Sequence, residues 1–119
     1  MERSAPPLIS GFNHIATGTC DLDRVIAFYR DAFGATISAE IPSSADQPRM
    51  AIIDMGGGAA LNVAEVPDGS IVGDRSAIGG RGPVDHFGLA AASRDVLEHL
   101  QRRIVDAGGQ VGDITLLGG

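Results

Sequence analysis

The feature that most restricts this chain is an internal repeat. Aligned on their histidines, FNHIATGTCDLDRVIAFYRDAFGATI and VDHFGLAAASRDVLEHLQRRIVDAGGQV match at an offset of 72, at His14/His86, Asp23/Asp95 and Val25/Leu97. Past a three-residue insertion the offset becomes 75, at Asp31/Asp106 and Ala32/Ala107. A period near 70 within 119 residues leaves room for one supersecondary unit used twice, as two similar modules around a pseudo-twofold axis.

The content of the unit follows from local signals. Residues 12 to 19 read as a strand, Asp21 as the N-cap of a helix with Leu22, Ile26, Tyr29 and Phe33 on its apolar face, and Gly34 as its end. Three β-prone stretches follow, 36 to 42, 49 to 55 and 59 to 66, each closed by proline or glycine. The first module, 8–66, is therefore βαβββ. Residues 67–83 carry glycine and proline without periodicity and read as a linker or mobile loop. The pattern restarts at 84 with a strand over 84–91. Ser93 is the next N-cap, a helix carries Val96, Leu100, Ile104 and Ala107 on its apolar face, and a β-prone stretch covers 110–117. This second copy, 84–119, is short of about two strands. The expected fold class is α+β, one domain over 1–119 built from paired βαβββ modules in a half-open mixed barrel, with the second module incomplete.

Composition removes several functions. All nine basic residues are arginine, so Schiff-base chemistry and a phosphate-loop lysine are excluded. The net charge of −6 would repel a phosphate backbone, which argues against nucleic acid as a partner. No apolar run approaches the roughly 18 residues of a spanning helix, so no membrane partner is expected. Cys20 is the single cysteine and reads as a buried, inert thiol, with neither a disulfide partner nor a zinc cluster. The polar, proline-containing start resembles no secretory signal, and the expected location is cytoplasmic. With no tryptophan and few aromatic residues, the core has to be aliphatic.

The chemistry is expected on the histidine strands. Alternation places His14 with Ala16 and Gly18, and His86 with Gly88 and Ala90, on faces opposite Ile15, Phe87 and Leu89. Small neighbours leave a cavity there, into which Ala60, Asn62 and Ala64 also turn. Two of three histidines at equivalent places in a repeat either converge on one divalent ion or bond to backbone and line an apolar cleft. Glu65 is a reserve ligand, able to face the cavity only through a bulge. His99 lies on the solvated side of its helix. Glu98 and Arg102 read as a surface i,i+4 pair, and Asp54 and Asp85 as turn-capping or solvated carboxylates.

A strand beginning in histidine, then DLDRVIAFYRDAFGA, three further strands, and a second copy opening VDHFGLAAAS resemble the glyoxalase, bleomycin-resistance and extradiol-dioxygenase proteins, the vicinal oxygen chelate superfamily. The resemblance spans about residues 11 to 117. It implies a barrel around a divalent metal (iron, nickel, zinc, manganese or cobalt), with His14 as first ligand and His86 as third. The second ligand position falls at Asn62, where several family enzymes carry glutamate or glutamine, and a neutral amide is the weaker ligand. The fourth normally stands on the last strand, which has no counterpart here. By this resemblance the metal is a Lewis acid bound by two adjacent oxygens of a substrate, stabilising an enediolate or activating dioxygen.

Three functions follow. The first is a metal-dependent lyase, isomerase or dioxygenase acting on a small molecule with vicinal oxygens. The second is a metal-independent binding protein of the drug-sequestering type, and the third a shortened homologue that only dimerises. An incomplete module exposes strand edges and an apolar face, so a homodimer is expected.

Overall fold

The structure is a computed structural model that describes residues 5–82 and 84–116. Its elements are β1 (His14–Thr19), α1 (Leu22–Phe33), β2 (Thr36–Ile41), β3 (Met50–Gly56), β4 (Ala59–Glu65) and α2 (Arg94–Asp106). The first five form the expected βαβββ unit.

Helix α1 starts where the sequence provides a cap. The Asp21 side chain accepts the Arg24 N–H, and the chain leaves the helix through Gly34 at φ 67°, a left-handed turn in which its N–H reaches the Arg30 carbonyl. The helix carries the chain across one face of the sheet, so β1 pairs in parallel with β4 while β2, β3 and β4 run antiparallel, in the order β1-β4-β3-β2. The β3–β4 hairpin turns through Gly57 and Gly58, at φ 62° and 80°. Tight hairpin turns need such positive values, which side chains resist.

Leu22 and Ile26 of α1 pack on Ala51, Ile53, Leu61 and Val63 of the sheet, with Ile15, Val25, Tyr29 and Phe87 around them. This aliphatic core lies entirely on the helix side. Along β1 the burial alternates as the pleat dictates, with Ile15, Thr17 and Thr19 half-buried and His14, Ala16 and Gly18 exposed.

The second copy reproduces the helix but not the strands. Helix α2 begins at the repeat-equivalent position, with the Ser93 hydroxyl accepting the Val96 N–H, and it packs on α1. The Arg103 guanidinium donates to the Asp31 carbonyl at 3.0 Å, which places a positive charge at the negative end of the α1 dipole. The strands expected at 84–91 and 110–117 are not formed in residues 84–91 and 110–116; Leu117 lies outside the described residues. A strand is defined by its neighbour, and no described segment lies alongside either stretch to complete a ladder. Accordingly α2 has no buried residue, and Val96 and Leu97 remain 40% and 39% exposed.

Two smaller expectations also change. Cys20 is exposed, with its Sγ 3.8 Å from the Pro67 carbonyl oxygen, because the β1–α1 corner lies at the surface. Glu98 pairs with Arg94, at 3.1 Å, and not with Arg102: the arginine N-terminal to it is the one that folds over the first turn.

Candidate functional site

Parallel pairing of β1 with β4 fixes which side chains share a face. His14 lies opposite Ala60, Ala16 opposite Asn62, and Gly18 opposite Ala64, all on the face turned away from the helices. His14 and Asn62 thus occupy diagonal positions on adjacent strands, roughly 7–8 Å apart at the backbone, separated only by alanine-sized side chains. The Asn62 Oδ1 is buried and accepts no hydrogen bond. A carbonyl oxygen desolvated without a donor is costly, and a cation relieves that cost as well as an N–H does.

Each of the two repeat histidines is held by the side chain before it. The His14 Nδ1 lies 2.6 Å from Asn13 Oδ1, and the His86 Nδ1 lies 2.7 Å from Asp85 Oδ2. Both partner oxygens only accept, so each contact takes a ring proton on Nδ1 and, in the neutral imidazole, leaves Nε2 with a free lone pair. That is how imidazoles are prepared for coordination. The His86 side chain is 71% exposed, on a segment outside the sheet. The contacts of Asn13 and Asp85 are not among the sequence expectations, although each residue directly precedes a repeat histidine.

Asp85 is the more heavily engaged. Its other oxygen, Oδ1, accepts the Gly79 N–H, and together with the His86 contact this holds its pKa below the ordinary carboxylate value. The loop it holds is folded back on itself, with Asp74 N–H bonded to the Gly80 carbonyl and Ser76 capped by the Asp74 carboxylate.

Glu65 stands on the other face. β4 stays in register with β1 through Thr19/Glu65, with no bulge, so Glu65 follows Leu61 and Val63 toward the helix. There its Oε2 accepts the Leu22 N–H at 2.9 Å and lies 3.8 Å from Arg49. His99 is exposed on α2. Asp54 caps the hairpin by accepting the Gly56 N–H. Local desolvation, aided by the Asp68 carboxylate, pushes the Cys20 thiol pKa up.

Among the described residues no three His, Cys, Asp or Glu side chains gather closely enough to hold a metal by themselves. A cleft of about 670 Å³ lies elsewhere, between the end of α1, the β3–β4 hairpin and the apolar side of α2. Phe33, Met55, Leu97, Leu100 and Ile104 line it, and neither repeat histidine does.

A βαβββ unit, a histidine opening its first strand and a second helix at the repeat-equivalent position define a protein of the paired βαβββ-module class. The chain belongs to the Glyoxalase/Bleomycin resistance protein/Dioxygenase superfamily, whose family profile matches residues 11–115. Among solved structures it is similar to a lactoylglutathione lyase from Agrobacterium tumefaciens, with a TM-score of 0.53 and 22% identity. That match covers 84% of this chain and 72% of the other and is a likeness of fold. No curated protein matches the chain significantly. No helix among the described residues is long and apolar enough to cross a membrane.

Proposed function

We propose that the protein is a divalent-metal-dependent enzyme of the glyoxalase or dioxygenase type, acting on a small molecule with two neighbouring oxygens. The observation that carries this reading is the unpartnered Asn62 Oδ1 on the sheet face that also bears His14, whose Nε2 is left free by the Asn13 contact. Two imidazoles and an amide oxygen suit a borderline divalent ion such as iron, nickel, zinc, manganese or cobalt, and with no carboxylate among them they hold it loosely.

In this reading His14, Asn62 and His86 are the protein's ligands. A divalent ion held there supplies Lewis acidity toward the substrate oxygens. Asn13 and Asp85 fix the ring orientations, while Ala16, Gly18, Ala60 and Ala64 keep the face low enough for a substrate to lie against it. Isothermal titration of the purified protein with Co²⁺, Ni²⁺ and Zn²⁺ tests the reading. Saturable uptake by the parent that is lost in both His14→Ala and His86→Ala supports it, and no uptake at millimolar metal overturns it.

The metal-independent binding reading is favoured by one feature, the apolar 670 Å³ cleft beside α2, which is the size of a drug-sized ligand site. Ligand-induced stabilisation without added metal is its signature. Homodimer formation belongs to both readings, supported by the open edge of β1 and the partly exposed apolar side chains of α2. Light scattering at tens of micromolar that reports a monomer would remove it.

A further inference from the structure

We infer that Asp85 is a positioning residue for His86: its carboxylate holds the imidazole in the form with Nδ1 protonated and Nε2 open, and anchors that arrangement to the 74–82 loop. This rests on the proposed role of His86 as a metal ligand.

The two oxygens of the Asp85 carboxylate have different partners. Oδ2 lies 2.7 Å from His86 Nδ1, while Oδ1 accepts the Gly79 N–H. A side chain held at both oxygens has little rotational freedom, and Asp85 is only 25% exposed while His86 is 71% exposed. The mobile, solvated partner is therefore the one being oriented. Free imidazole favours the proton on Nε2, which blocks that nitrogen as a ligand; a fixed acceptor at Nδ1 reverses that preference.

The first module has the same device in neutral form. Asn13 occupies the repeat-equivalent position and its Oδ1 contacts His14 Nδ1 at 2.6 Å. An oxygen acceptor in that place is what both modules share, and the charge is what differs. On this basis an amide at position 85 should do most of what the carboxylate does.

Long-range imidazole ¹H–¹⁵N NMR on the full chain without metal, at a pH where the histidines are neutral, reads the proton position directly. The expected result is His86 with Nδ1 protonated in the parent, a switch to the Nε2-protonated form in Asp85→Ala, and retention of the parent form in Asp85→Asn, with His14 unchanged in both. Co²⁺ titration should then show affinity falling about 10- to 100-fold in Asp85→Ala and largely restored in Asp85→Asn. A parent whose His86 already carries its proton on Nε2, or an Asp85→Ala variant with unchanged His86 signals and affinity, would overturn the inference and leave Asp85 as a loop anchor only. The parent's spectrum needs no variant, so poor folding of Asp85→Ala does not block the test. Absence of Co²⁺ uptake by the parent defeats the metal reading, whereas an unaltered proton position defeats the role of Asp85.

Discussion

Glu65, at the end of β4, accepts the backbone N–H of Leu22, the first residue of α1, at 2.9 Å across 43 positions of sequence. The pairing of Thr19 with Glu65 brings the strand end directly under the helix start, so a carboxylate there meets both an orphan N–H and the positive end of the helix dipole.

Replacing Glu65 by alanine should therefore lower stability by about 1 kcal/mol, with glutamine recovering part of the loss, and should leave Co²⁺ uptake unchanged. Urea unfolding and metal titration on the same samples check this. Loss of uptake in Glu65→Gln at unchanged stability would return Glu65 to the ligand set.

His14→Ala and His86→Ala should each abolish metal uptake, while His99→Ala, altered on the exposed side of α2, should behave as the parent. If removing either repeat histidine leaves uptake intact, the two do not share an ion.

The Arg49 guanidinium bonds to Asp23 at 2.6 Å and holds that carboxyl below its ordinary value. A depressed carboxyl contributes stability above its unfolded pKa and loses it as pH falls through the lower folded pKa. The Asp23 part of acid destabilisation thus begins near pH 4 and is complete only further down. Asp23 is largely exposed, so the effect is small. Asp23→Asn should flatten the dependence of the urea midpoint on pH below 4 without altering it near 7. An unchanged acid limb would show that the pair does not persist in solution.

Leu61, 3% exposed in the centre of the sheet's helix face, should cost about 2–5 kcal/mol when cut to alanine. Thermal melts measure it. A loss below 1 kcal/mol would mean that the core repacks around the cavity.

The first module was legible because each of its elements carries its own signal. Asp21 caps its helix, Gly57 and Gly58 set the hairpin, and alternation at Ile15, Leu61 and Val63 separates the core face from the histidine face. Residues 84–91 misled because β-propensity is local whereas a ladder needs a second strand, and Phe87 turns onto the core without one. Cys20 was expected inside because free cysteines usually are, but corner geometry decides its exposure. The roles of Glu65, Asn13 and Asp85 depend on register and on side-chain contacts that no spacing rule contains, although pairing β1 with β4 in parallel would have placed Glu65 beside α1.

The two helices of the repeat are alike in sequence but unlike in burial: α1 contributes Leu22, Ile26 and Ala32 to the interior and α2 contributes nothing fully buried. In deuterated solvent the backbone amides should therefore separate into two populations. Those of α1, β3 and β4 exchange only when the whole unit opens, while those of α2 exchange through a local opening of much lower free energy, against which the Arg103 contact to Asp31 is the hydrogen bond that ties α2 to α1.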